Sequence, residues 1–453
     1  MSIATPHSAV LDLPSYSPSS SAPHYSPEPS EDECRLVFVA RKQRDLVPTD
    51  VFAKKAGGVT LLISGQDSGV VVPTYNRNGI VRGEVLLDDE AAVQSVSVKL
   101  EGSQSTSIVD GGADLVELFS ESLTVWSKPR SDIAGPSTLT PPAVLPFAIP
   151  FPKGYGEGQS VKPLPPTFNA QFSGTHGIYV ECKYILTVTV TKSGLGGWKR
   201  QKLLTTPVSF EPRSRAYMPI GRDLLPFFST IKSAPGDWHQ VISKMEVQPK
   251  STLEPLECQL FVPAVQIYAF SDIIPFHLHL RGSRASLASF VAGPTPVFKL
   301  PKGIKALSST LKLGSSSRTS LDSSSSSFMD VLTPQVSPVG HDSSNVRVYL
   351  LRQVCVSVDG QKAWGEIVLG EGKISPLSST RAAGTDGEYS LDWEGEVRCG
   401  SAVSVGSFRS GELVVKDFIV VELKPPVGSP SPLKYHRHAH PIRLVTDSCS
   451  DSL

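Results

Sequence analysis

The chain holds 453 residues, with 43 Lys or Arg set against 43 Asp or Glu, so its formal net charge is zero. That balance removes the broad positive field that drives sequence-independent phosphate binding, and no nucleic-acid partner is expected. At roughly 100–200 residues per domain the length predicts two folded units once low-complexity stretches are set aside.

Six cysteines, Cys34, Cys182, Cys258, Cys355, Cys399 and Cys449, are scattered with no two close together. They form neither the dense framework of a small secreted domain nor a C-x-x-C zinc or redox pair. The start, Met1-Ser2-Ile3-Ala4-Thr5-Pro6-His7, lacks a basic segment followed by an apolar one. No run of about 18 apolar residues suggests a spanning helix. These features predict a cytoplasmic protein with reduced thiols.

Residues 1–33 are rich in Ser and Pro, as in Ser15-Tyr16-Ser17-Pro18 and Ser26-Pro27-Glu28-Pro29. Such a segment buries too little apolar area to offset chain entropy and reads as a disordered tail. Strands begin near Leu36-Val37-Phe38-Val39 and recur between turns: Val59–Ile63, Gly69–Pro73, Gly79–Leu87 and Gln94–Gly102. In the last of these Val96, Val98 and Leu100 face one way and Ser95, Ser97, Lys99 and Glu101 the other, the mark of a half-buried antiparallel strand. Leu115–Val125, Tyr179–Thr191 and Leu203–Phe210 repeat the pattern.

The alternation loosens after Arg213, which places a boundary near Glu211-Pro212-Arg213. The second half offers strands at Glu257–Ala264, Ile273–Arg281, Val346–Val358, Glu366–Ile374, Tyr389–Arg398, Ser404–Phe408 and Val414–Leu423. A serine-dominated stretch at about 302–345 interrupts them and reads as a disordered insertion. The expected architecture is all-β: two immunoglobulin-like antiparallel β-sandwiches in tandem, over 34–212 and 213–453.

Candidate chemistry is sparse. Ser229-Thr230-Ile231-Lys232 and Ser309-Thr310-Leu311-Lys312 satisfy S-x-x-K, a short pattern that chance supplies easily. Gly154, Gly156 and Gly158 alternate as if to cradle a phosphate, but no Gly-Lys-Ser/Thr follows, so a connector is expected. His277-Leu278-His279 and His436-Arg437-His438-Ala439-His440 each place two imidazoles on one strand face, a spacing that can clasp a metal ion. No supporting carboxylate can be located from the sequence, and neither a metal nor a cofactor is expected. In the first pair Ile274, Phe276, Leu278 and Leu280 form the apolar face, which leaves the histidines on the solvated one. One basic stretch has a functional reading as a contact with anionic membrane, through Lys299, Lys302, Lys305, Lys312 and Arg318.

Three groups of segments together resemble the α-arrestins, the arrestin-related trafficking adaptors of fungi. The first is Gly79-Ile80-Val81-Arg82-Gly83-Glu84-Val85-Leu86-Leu87 followed by Val96-Ser97-Val98-Lys99-Leu100-Glu101-Gly102. The second joins Leu145-Pro146-Phe147-Ala148-Ile149-Pro150-Phe151-Pro152 and Leu164-Pro165-Pro166-Thr167-Phe168 to the run Ile178–Val188. The third is Phe418–Pro426 with His440–Asp447. Their order over about residues 59–447 carries the likeness.

The resemblance implies two arrestin-type sandwiches and a non-enzymatic adaptor of the cytoplasm, peripheral to plasma membrane or endosomes. It would bind cytoplasmic segments of membrane transporters or receptors in ubiquitin-linked endocytosis and sorting. Members that recruit a ubiquitin ligase directly carry Pro-Pro-x-Tyr, and this chain departs from that pattern. Leu13-Pro14-Ser15-Tyr16 and Val72-Pro73-Thr74-Tyr75 lack the first proline, and Pro165-Pro166-Thr167-Phe168 ends in Phe. Two rival readings remain: an arrestin-fold subunit of a retromer-like sorting complex, which a large apolar surface patch would favour, and a β-sandwich hydrolase, which needs paired carboxylates in a deep pocket.

Overall fold

Period-two alternation becomes strands throughout the structure. The computed structural model describes residues 50–128, 140–156, 161–174, 177–193, 198–221, 226–291, 345–377, 389–426 and 431–449. All of them fall within one compact unit, Pro48–Leu453. The expected tail at 1–33, the strand at 36–39 and, apart from Asn345, the insertion at 302–345 lie outside the described residues.

The first half pairs two sheets face to face. One has the order β1-β2-β4-β7, from β1 (Asp50–Ala56), β2 (Val59–Gln66), β4 (Ile80–Leu87) and β7 (Val144–Pro150). The other runs β3-β10-β9-β5-β6, from β3 (Thr74–Tyr75), β10 (Lys199–Phe210), β9 (Ile178–Ser193), β5 (Val93–Ile108) and β6 (Gly112–Ser127), with β8 (Phe168–Phe172) beside β9. Val96, Val98 and Leu100 of β5 and Leu186, Val188 and Val190 of β9 are wholly buried, and they meet Leu61, Val81 and Val85 from the facing sheet. The segment Gly69–Pro73, expected as a strand, forms none. A turn at Gly69 (φ 75°) and the missing N–H of Pro73 break the ladder, and Val71 stands exposed.

The second half is one curled ten-stranded sheet folded over its own core. Its order is β11-β12-β14-β17-β16-β15-β19-β20-β13, with β18 beside β19. These are β11 (Trp238–Met245), β12 (Leu256–Pro263), β13 (Ile267–Ala269), β14 (Ile273–Gly282), β15 (Val346–Val358), β16 (Gln361–Leu377), β17 (Tyr389–Arg398), β18 (Phe408–Ser410), β19 (Leu413–Leu423) and β20 (His436–Val445). The corner lies within β16, where Gln361–Glu371 pairs with β15 and Gly372–Leu377 pairs with β17. A Cβ at Gly370 would strike the Arg398 carbonyl, and one at Gly372 the Val348 carbonyl, so glycine lets the backbones close up at the bend. Among the described residues this half also holds two short α-helices, α1 (Phe227–Ser233) and α2 (Arg284–Val291).

Among the described residues every ladder stays within 50–210 or within 215–447, but the two halves share a core. Successive inward positions of β15 show how. Val346, Val348 and Leu350 face the second sandwich's core, whereas Val354, Val356 and Val358 pack on Ile108, Ile178, Val180 and Cys182 of the first. On β19 the same change occurs between Ile419 and Val415. Arg352 and Asp417 sit opposite each other at the crossover, both buried and joined by two hydrogen bonds (Nε–Oδ1 2.7 Å, Nη2–Oδ2 3.0 Å). Polar contacts seal the joint: the Gln104 amide donates to the Ser410 carbonyl at 3.3 Å, and Tyr155 and Ser410 share a hydrogen bond of 2.8 Å.

Candidate functional site

The five basic residues singled out for membrane contact, Lys299, Lys302, Lys305, Lys312 and Arg318, lie outside the described residues, as does the S-x-x-K at Ser309–Lys312. The copy at Ser229 falls on α1, where the serine hydroxyl donates to the Pro226 carbonyl at 2.9 Å. Gly154 directly precedes the Tyr155–Lys162 bridge, where a Cβ would strike the Lys162 carbonyl, and Gly158 lies outside the described residues. Two of the three near-matches to a ligase-binding motif are packed away, and the third, at Leu13–Tyr16, lies outside the described residues. Pro165 and Pro166 are buried, the Pro165 carbonyl accepts the Tyr184 hydroxyl at 2.5 Å, and Tyr75 is 7% exposed. Burial pushes the Cys182 and Cys258 thiols up to about 12 and Cys399 up to about 11, which leaves little thiolate near neutrality.

One cluster of functional side chains does form, and it corrects the sequence reading. Ile274, Phe276, Leu278 and Leu280 of β14 are wholly buried, as expected, yet His277 on the opposite face is 0% exposed rather than solvated. The cause is α1, a seven-residue helix too short for its periodicity to be read. It lays Phe227 flat on the imidazole, with ring centroids 3.9 Å apart at 7°, while Phe228 and Phe261 flank the stack.

Strand register supplies the carboxylates that the sequence could not locate. Antiparallel pairing of β14 with β17 sets His279 opposite Asp392 and His277 opposite Glu394. Asp392 Oδ1 accepts from His277 Nε2 at 3.1 Å and from His279 Nδ1 at 2.7 Å. Ser390 donates to Asp392 Oδ2 at 3.3 Å, and Glu394 accepts the Phe227 backbone N–H at 3.1 Å. Burial alone raises the Asp392 pKa, but the hydrogen bonds and charges of the two histidines outweigh it and hold the carboxyl well below the usual range. His277 Nδ1 is buried with no hydrogen-bond partner. Two imidazoles therefore converge on one ionised oxygen beneath an aromatic lid.

The second histidine cluster stays on one face of β20, but its outer members bond separate partners. On β20 His436 bonds the Ser243 hydroxyl at 3.0 Å and His440 the Gln266 amide oxygen at 2.9 Å, with the His239 ring 4.9 Å from that of His440.

A surface of another kind runs along β6. This 16-residue strand ends its sheet, and no described strand pairs with its outer side. It carries Asp114, Glu117 and Glu121 and no Lys, Arg or Pro, with Leu115 and Leu123 exposed. Proteins usually blunt long edges with lysine, proline, bulges or a covering segment; β6 has no lysine or proline but is irregular at Leu118 and Val125.

No family model matches the chain, and no curated protein matches its sequence. Among the described residues no helix is long and apolar enough to cross a membrane.

Proposed function

We propose that the protein is a non-enzymatic adaptor that captures Lys/Arg-rich cytoplasmic segments of membrane transporters or receptors along the β6 edge. The supporting observation is that edge: 16 residues long, carrying three carboxylates and no cation or proline. An extended peptide can add there as a further strand, its main chain pairing with an edge that no described strand occupies. Loops that flank membrane spans on the cytoplasmic side are enriched in Lys and Arg, so their charge complements Asp114, Glu117 and Glu121. Each added hydrogen bond contributes about 0.5–1.5 kcal/mol net, and exposed ion pairs add at most about 1 kcal/mol each. Ordering the peptide opposes this gain, so affinity should be micromolar and salt-sensitive.

Such an adaptor acts at the plasma membrane or endosomes, in the ubiquitin-linked sorting that the α-arrestin resemblance suggests, with a ubiquitin ligase as partner. Because the near-matches at Pro73 and Pro165 are packed inside, the ligase would have to dock through some other surface. The reading is tested by fluorescence anisotropy with labelled peptides of about ten residues, one Lys/Arg-rich and one Asp/Glu-rich. The wild type should favour the basic peptide, and Glu117→Lys with Glu121→Lys should weaken it about tenfold, the loss of roughly 1.4 kcal/mol. Equal affinity in wild type and variant would sink the proposal.

A further inference from the structure

We propose that His277 Nε2, His279 Nδ1 and Asp392 Oδ1 form a binding site for one divalent transition cation of the zinc class. The argument begins with register. A two-residue spacing on β14 (His277, His279) faces a two-residue spacing on β17 (Asp392, Glu394), and pairing in phase makes a square of two imidazoles and two carboxylates on one sheet face. Three of these groups bring their donor atoms within 4.8 Å of one another. Both imidazoles point a nitrogen at the same oxygen, at 2.7 and 3.1 Å. Zinc bonds of about 2.0–2.1 Å set neighbouring tetrahedral ligands about 3.3 Å apart, so small side-chain rotations make room for the ion.

The donor chemistry fits. Two imidazoles and one carboxylate suit zinc and its neighbours in the first transition row, whereas calcium and magnesium take mainly oxygen. The Asp392 carboxylate is held ionised. Binding would replace the hydrogen bonds that both nitrogens now make to Asp392 Oδ1 and would move the His277 ring proton to Nδ1. Access is one-sided. His277 is closed off by Phe227, whereas the His279 side chain remains a quarter exposed, which leaves a path for the ion and for a water as fourth ligand.

Such an ion would act structurally, fixing β14 to β17 at the middle of the sheet and seating α1 over it. Catalysis is not implied, because the Phe227 lid leaves no space for a substrate over His277. The site lies on a different sheet from β6 and shares no residue with that edge, so its fate and that of the peptide-binding reading are separable.

The test uses the full chain, stripped with a chelator and dialysed. Zinc content by mass spectrometry after equilibration at about 10 μM free Zn2+, and Co2+ titration followed in the visible, report uptake and geometry. One ion per chain, a tetrahedral Co2+ spectrum and a thermal midpoint raised by several degrees are expected. Asp392→Asn and His279→Ala should each lower affinity at least about 100-fold, since each removes a direct ligand and losing a group that only hydrogen-bonds a ligand already costs about 10–100-fold. His279 is partly exposed, so its variant should keep the native circular dichroism spectrum and remain informative if Asp392→Asn unfolds. A wild-type chain that takes up no zinc would overturn the proposal, leaving a hydrogen-bonded His–Asp–His cluster. So would uptake that both variants retain, which would place the ion elsewhere, for instance on the β20 histidines.

Discussion

Replacing Arg352 by Met should destabilise the protein by about 3–5 kcal/mol, because it strands a charge at the crossover between two cores. Asp417 is 1% exposed and accepts both hydrogen bonds of the guanidinium, with the Ser407 hydroxyl as a further donor at 2.7 Å. Met fills much of the arginine volume, so little of the cost comes from an empty cavity. The loss comes instead from leaving a carboxylate in an apolar site with one neutral donor. The double variant Arg352→Met with Asp417→Leu removes both charges and should recover more than half of the loss, since apolar replacement of a buried pair is often close to neutral. Urea unfolding followed by tryptophan fluorescence measures both values. At about 2.1 cal/mol/K of unfolding entropy per residue, the unit Pro48–Leu453 shifts by about 1 °C per kcal/mol, so the single variant should also melt roughly 3–6 °C lower. A single-variant cost below about 1 kcal/mol, or a double variant as unstable as the two singles added together, would refute the account of this pair as a buried, mutually dependent unit.

Three other outcomes follow from particular contacts. Burial, then the neighbouring His239 and His438, lower the His440 pKa from 6.5 to about 4, so the unfolded chain takes up that proton first. Its contribution is complete above pH 6.5 and is lost as pH falls toward 4. For a half-exposed ring this is about 1–2 kcal/mol, and His440→Gln should flatten that part of a stability–pH curve. Phe227→Ala removes the ring stacked on His277 and should cost about 3 kcal/mol, with hydrogen exchange rising at His277 and at the Phe227 amide; unchanged exchange at both would mean that α1 is not the lid. Gly370→Ala should cost at least about 1–3 kcal/mol by forcing β16 away from the Arg398 carbonyl, which a lowered urea midpoint would register.

Local alternation made much of the fold legible. Val96, Val98 and Leu100 in β5, and Ile274 through Leu280 in β14, could be assigned to a face from four or five residues alone, and those faces are the buried ones. Three features were harder to read, each because it depends on residues far apart in the chain. The Gly370–Gly372 corner sends one continuous strand into two pairings, and its glycines look like any others until the Arg398 and Val348 carbonyls press against them. β15 keeps its valines at even positions on both sides of Tyr349–Arg352, a run buried on both faces, so the valine pattern does not announce that Val348 and Val356 belong to different cores. The face of His277 was misread because period two states only which side of a strand is apolar, not whether another element covers the other side.

The His277–His279–Asp392 cluster carries this point furthest. H-x-H at 277–279 stands out in the sequence, whereas Asp392 and Glu394, more than a hundred residues away in a commonplace D-x-E, do not. The pairing that puts His279 against Asp392 depends on register, since a slip of one residue on either strand would turn the carboxylates to the other face. Register there is held by Phe276, Leu278 and Val397 on the inner side, where a slip would expose buried apolar groups. The hydrophobic core thus fixes, from the opposite face of the sheet, the distances among three polar groups. A core-preserving change such as Leu278→Met should leave the cluster intact, whereas a charged residue at the same position should disperse it even though every ligand remains.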